Sequence, residues 1–254
     1  MTTALPVFLA ASGATFADDA PPPPPQDAWI GKGQVGFLES KGNTSAESIN
    51  ANVDVWRFDG PWKNEIYLAD LYGKNNSIVS AERFEAREQT NYSISSDVFA
   101  FGALRYEHDL FDGFQYQASV ATGMGYKFIN TKTTTLSAQV GAGYRWIRPE
   151  TLIYNSNGDG QVIARVPLEN TNEPIGSAEI DFSQKFSETT TLTNKLYTEF
   201  GSMNTMAQDQ IQLAVKMTTK LALAVGYSII DNTHPPPPLK KVDQLTTVNL
   251  QFSF

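Results

Sequence analysis

Residues 114–128 alternate without a break. Phe114, Tyr116, Ala118, Val120, Thr122, Met124, Tyr126 and Phe128 share one parity. Gln115, Gln117, Ser119, Ala121, Gly123, Gly125 and Lys127 share the other. A period of two belongs to a β-strand with unlike faces, because successive side chains point to opposite sides of the sheet. The pattern returns at 134–146, 175–186 and 247–254, and more weakly at 46–56, 63–73, 82–94, 97–109, 191–201, 208–218 and 220–230, with a short Gly-rich strand at 33–40. Soluble strands are typically about five or six residues long. Tilted strands that cross a bilayer need about nine to eleven. The lengths predict an all-β, antiparallel transmembrane β-barrel of about 12 strands.

Composition agrees with the pattern. Only 18 % of the residues are charged and 41 % are hydrophobic. Ser, Thr, Asn, Gln and Gly fill the remainder, which suits a wet interior face. The chain has no Cys, which excludes a disulfide scaffold, a thiolate metal site and a cysteine nucleophile. Two His are too few for a His-rich metal site, and a net charge of −8 argues against a nucleic-acid partner. No apolar run is long enough for a spanning helix.

The breaks between segments supply a second test. Those near 57–61, 95–97, 130–132, 187–189 and 218–220 are tight turns. The alternate set, near 41–45, 74–80, 110–113, 148–174, 202–207 and 231–241, includes the longest. Outer-membrane barrels alternate short periplasmic turns with longer outer loops. The 148–174 break reads as one long loop with few apolar anchors, set to restrict the opening. Aromatic residues stand near strand ends (Trp56, Trp62, Tyr72, Tyr92, Phe114, Phe128, Trp146, Phe186 and Phe254), as two interfacial girdles require. The final strand ends in Phe252-Ser253-Phe254, which looks like the C-terminal signal read by the barrel-assembly machinery.

Residues 1–17 read as a signal peptide: a short apolar core at 4–11, then Thr15-Phe16-Ala17, without a preceding Lys or Arg. Residues 18–28 read as a Pro-rich linker, and 29–254 as the barrel. The cell outer membrane is the expected location, with its lipids as surroundings.

Charges of both signs lie on the polar parity: Arg83, Glu85, Arg87, Arg105, Glu107, Lys127, Arg145, Glu179, Asp181, Lys185, Lys195, Glu199 and Lys216. In a barrel they point inward, either to plug the lumen with ion pairs or to line a narrow aqueous path. Twelve strands fall between the filled eight and the open sixteen, and long charges among Gly and Ser favour a narrow or occluded pore.

Sites for chemistry are sparse. His108 and His234 fall beside outer loops, where proton transfer is conceivable, but both read more simply as strand-end or exposed imidazoles. No G-x-S-x-G elbow is present. Asn155 to Gly160 matches the first half of a calcium loop, but the first ligand is Asn and the twelfth position is Val166 rather than Glu, so a plain turn is expected. No enzyme activity, cofactor or metal is predicted.

The segments Trp29-Ile30-Gly31-Lys32-Gly33-Gln34-Val35-Gly36-Phe37 and Gly42-Asn43-Thr44 resemble the opening of the salt-induced outer-membrane protein family (YdiY-like, domain of unknown function 481). Further matches are Tyr106 to Gly113, Gly123 to Tyr126, Gly141 to Tyr144, Pro235 to Pro238, Asp243 and Phe252 to Phe254. The resemblance covers about 29–254. It implies an outer-membrane barrel whose expression is linked to salt or osmotic stress, and no known solute or catalytic residue. The expected function is a non-enzymatic barrel passing small solutes. The alternative is a surface ligand-binding or adhesion barrel using the 148–174 and 231–241 loops.

Overall fold

The computed structural model describes residues 25–40, 46–76, 78–109, 113–155, 162–235 and 239–254. They form thirteen strands: β1 (Trp29–Ser40), β2 (Ala46–Asp59), β3 (Trp62–Asn75), β4 (Ile78–Ser93), β5 (Val98–Asp109), β6 (Phe114–Asn130), β7 (Thr134–Tyr154), β8 (Val162–Pro167), β9 (Thr171–Lys185), β10 (Thr190–Gly201), β11 (Met206–Lys216), β12 (Leu221–Asn232) and β13 (Val242–Ser253). Every pairing between these strands is antiparallel. β6 pairs with β7, β7 with β9, and β1 with β13. The result is a closed ring of twelve strands, with β8 outside it, paired to the far end of β7 alone. Closure leaves the ring without an edge strand, the condition for a sheet to stand in lipid.

The short connections lie at one end of the barrel, with Trp29 and Ser253; we call this the turn end and the opposite one the loop end. At the turn end Gly60 adopts φ +53°, a left-handed conformation that glycine takes at little cost. Residues 1–24, read from the sequence as a signal peptide and most of a linker, lie outside the described residues.

The outward face is apolar. Val120, Met124, Val140, Ile180, Leu213, Val225, Val248 and Leu250 are all exposed. Their strand neighbours on the opposite parity are buried or half-buried and either polar, as Ser119, Gln139, Glu179 and Asn249 are, or small, as Ala121, Gly125 and Ala224 are, the reverse of a soluble barrel. One outward patch is polar: the Thr90 hydroxyl bonds Asn64 Oδ1 and Glu88 Oε1, each at 2.8 Å, beside the Trp62–Tyr92 ring pair.

Three sequence-based expectations need correction. The 148–174 break is not one long loop: β7 continues to Tyr154, β8 pairs back onto it, and β9 starts at Thr171. The segment also has anchors, since Leu152 and Glu150 are buried and Arg165 Nη1 lies 2.7 Å from Glu150 Oε1. Proline at 149, 167 and 174 and the weak alternation concealed the strand. Phe114 is not a girdle residue. A register shift between Phe114 and Tyr116 turns its ring inward, where it is buried. Trp56 likewise faces the interior, on the parity of Asp54, and lines the central cavity. Trp62, Tyr92, Phe128, Trp146, Phe186 and Phe254 are exposed near strand ends. Of the calcium-like stretch, residues 156–160 lie outside the described residues, and Val166 belongs to β8.

Candidate functional site: the barrel lumen

The pleat sends every second side chain of each strand into the lumen. What fills it differs from wall to wall.

Beside β5, β6 and β7 the filling near the turn end is apolar. Phe99 and Phe101 are buried inside the barrel with Ala121. Their rings fit because the facing strands carry glycine. A Cβ on Gly125 would lie 2.1 Å from Phe99 Cζ, and one on Gly141 would lie 2.8 Å from Phe101 Cζ. Sequence reasoning overlooked this pair, although both share the parity of Arg105 and Glu107.

Toward the loop end the same side is closed by ion pairs. Arg145 has no exposed side-chain surface, and lies 2.5 Å from Glu173 and 3.3 Å from Glu199, which is also fully buried. Glu199 accepts from Ser119 at 2.5 Å and from Tyr197 at 2.7 Å. Residues 202–205 fold inward on this group: the Asn204 carbonyl accepts from Arg145, and Met203 N–H donates to Glu173 at 2.8 Å. A second network joins β4 to β5. Arg83 lies 2.6 Å from Glu107, Arg105 lies 2.6 Å from Glu107 and 3.0 Å from Glu85, and Arg87 lies 3.5 Å from Glu85. Buried charges of this kind require partners of opposite sign, because desolvation would otherwise dominate.

The remaining space is a cavity of about 990 Å³ bordered chiefly by β1–β4 and β9–β13. Its lining runs from Gln26, Gly60 and Pro61 at the turn end to Asn50, Leu71 and Leu245 near the loop end. Lys195 on β10 crosses it. Its Nζ lies 3.4 Å from Glu179, 3.7 Å from Asp181 and 3.9 Å from Glu65 on β3. In the ring, β4, β5, β6, β7 and β9 separate β3 from β10 on one side, and β11, β12, β13, β1 and β2 separate them on the other. The Lys195–Glu65 contact is therefore diametric, a strut across the lumen. Gln139 and Gln89 reach each other from β7 and β4 at 3.0 Å, narrowing the same level.

Arg83, Glu85, Arg87, Arg105, Arg145, Glu179, Asp181, Lys195 and Glu199 thus lie in these networks. Lys127 stands at the turn-end rim, its Nζ 3.5 Å from the Ser96 carbonyl. Lys185 and Lys216 are exposed: each ends its strand at the turn end, where inward parity points past the rim. Lys32, Asp54, Lys63, Glu65, Tyr67 and Tyr197 also face inward and were not singled out from the sequence. Their parity was the available signal; their weaker alternation hid it.

The two imidazoles each contact a neighbouring group, His108 Nδ1 the Gln115 carbonyl and His234 Nδ1 the Thr233 Oγ1 at 3.0 Å. Among the described residues no group of three or more His, Cys, Asp or Glu is placed to hold a metal.

A closed antiparallel ring with a polar, ion-paired interior and an apolar exterior defines a transmembrane β-barrel. The chain belongs to the family described as protein of unknown function, DUF481, whose profile matches residues 33–254. It is 21 % identical over 245 residues to the uncharacterized protein YdiY of Escherichia coli (strain K12), covering 94 % of this chain and 88 % of the relative. Among solved structures, the translocator domain of the autotransporter NalP from Neisseria meningitidis aligns over 89 % of this chain and 88 % of its own, with 13 % identity and a TM-score of 0.45. The NanC porin aligns over 89 % and 99 %, with 9 % identity and a TM-score of 0.48.

Proposed function

We propose that this protein is a non-enzymatic barrel of the cell outer membrane that passes small solutes through a narrow path. Its turn end faces the periplasm and its loop end the outside. The observation that carries the reading is the Lys195–Glu65 strut, standing in a cavity whose lining extends along most of the barrel. A merely structural barrel has no need of a cavity of about 990 Å³, and an open porin would not bridge it. The outward apolar face meets the lipids, and Phe252 and Phe254 present the C-terminal strand to the assembly machinery. The link to salt or osmotic stress rests on the family resemblance.

The test is ion conductance of the refolded protein in a planar bilayer, against a lipid-only control. Wild type should show small, steady events, and Lys195→Met combined with Glu179→Gln larger ones, since Glu65 keeps Lys63 at 2.6 Å and the second change removes the buried carboxylate that Lys195 otherwise neutralises at 3.4 Å. Silence from both proteins overturns the pore. Fractionation tests the location, which is overturned if the protein is recovered in the soluble periplasm without detergent.

A further inference from the structure

We infer that the cavity selects uncharged, polyhydroxylated solutes of sugar size. The inference rests on the pore reading and names what passes.

The charges lining the cavity balance in sign, six cationic side chains to six anionic, and most of them meet an opposite partner. Lys32 has Asp54 at 3.7 Å, Lys63 has Glu65 at 2.6 Å, Lys195 has Glu179 at 3.4 Å, and Arg87 has Glu85 at 3.5 Å. Ion preference in a pore comes from a wall dominated by one sign. Here cations and anions alternate, so a mobile ion gains little from the wall yet still loses water in the narrow level around Lys195.

The wall facing the strut is different. Asn50 Nδ2 donates to Asn249 Oδ1 at 2.9 Å, Asn249 Nδ2 to Gln34 Oε1 at 3.2 Å, and Gln34 Nε2 to Gln251 Oε1 at 3.1 Å. This amide row bridges β2, β1 and β13. Each primary amide has two N–H groups and a carbonyl with two lone pairs, and the row uses one N–H from each of its donors. Gly36 makes the row feasible, because a Cβ there would fall 2.1 Å from Asn249 Oδ1 and 2.6 Å from Asn50 Oδ1. A row of alternating donors and acceptors matches vicinal hydroxyls, each of which both donates and accepts.

Toward the turn end the inward face of β2 continues into Trp56, over whose ring Lys32 Nζ lies 5.3 Å from the centroid, and into Phe58. Aromatic faces are apolar platforms with a polar edge, and a sugar ring presents the complementary surface: C–H faces with hydroxyls at its rim. The cavity volume is also of the size that small ligands occupy. Amides along one wall and rings at its mouth therefore favour a neutral sugar over an ion of equal size.

Proteoliposome swelling tests this with glucose, with gluconate and glucosamine as size-matched anion and cation, and with sorbitol as the open-chain polyol. Glucose should enter severalfold faster than either charged probe. Trp56→Ala should slow glucose more than sorbitol, and Asn50→Leu, at the end of the amide row, should slow both; retention of the heat-modifiable gel shift shows that each variant is folded. A protein that conducts KCl but admits glucose no faster than gluconate and glucosamine overturns this inference and leaves the pore standing. One that neither conducts nor swells overturns both. Sorbitol entering as fast as glucose, with no effect of Trp56→Ala, overturns the role of the aromatic mouth.

Discussion

Phe254 closes the barrel on Gly31. The N–H of each donates to the carbonyl of the other at 3.0 Å, tying the last residue of the chain to the first strand. The Phe254 ring then lies over the glycine, where a Cβ would sit 2.9 Å from Cζ and 2.8 Å from the Asp54 carbonyl oxygen. Backbone cannot yield there as a side-chain tip can, so Gly31→Val should cost about 1–3 kcal/mol through overpacking at the seam. Gly102→Ala serves as control, since nothing lies within 4 Å of its Cβ position. Urea unfolding in lipid vesicles measures both; equal losses would mean that the seam is not special.

Arg145 sits between Glu173 and Glu199 with no exposed surface. Arg145→Met leaves two buried carboxylates without their cation and should cost about 3–5 kcal/mol. Adding Glu173→Gln and Glu199→Gln should recover much of it, because neutral amides can remain with Ser119, Tyr197 and Ser202. A triple variant as unstable as Arg145→Met alone would show that packing, not charge, is lost.

Gly125 and Phe99 should be coupled. Gly125→Val alone collides with the ring. In a Phe99→Ala background the space is vacant, so the double variant should be more stable than the two single losses predict, by about 0.5–3 kcal/mol. Additive behaviour in the double-mutant cycle would place Phe99 elsewhere.

The outer and inner faces of the barrel wall should respond oppositely to arginine. Val140→Arg puts a charge on the apolar exterior and should cost about 2–4 kcal/mol near mid-bilayer. Gln212→Arg faces the cavity and should be tolerated within about 0.5 kcal/mol. Equal sensitivity in refolding yields would reject the register.

Removing 152–166 takes away β8 but none of the ring, because β7 pairs with β9 only from Thr134 to Ile147. The shortened protein should still run as a heat-modifiable barrel and insert in lipid. If the hairpin covers the mouth, its conductance should also rise. Loss of the gel shift would show that the hairpin is needed for folding.

Much of this architecture was legible in the alternation. Val120, Met124 and Val140 on one parity, and Ser119, Gln139 and Arg145 on the other, already separate outside from inside. The reading failed where alternation stops being local: at Phe114, where a bulge shifts the phase, and around β8, where Pro149, Pro167 and Pro174 flank or end the segment. It also passed over Phe99 and Phe101, because two rings on a polar parity look like an error until Gly125 and Gly141 are seen opposite them.

A period of two, strand lengths beyond what a soluble sheet needs and the short turns between them set the fold class from the sequence itself, because pleat and turn geometry depend on near neighbours. Which charge meets which did not follow from that. Lys195 and Glu65 stand 130 positions apart by number, and only the stagger and closure of twelve strands bring them face to face across the lumen. Closure is a property of the whole ring: one residue of slip in any strand turns all of that strand's inward side chains outward. The lumen's filling, and with it what can pass, was therefore decided by tertiary structure.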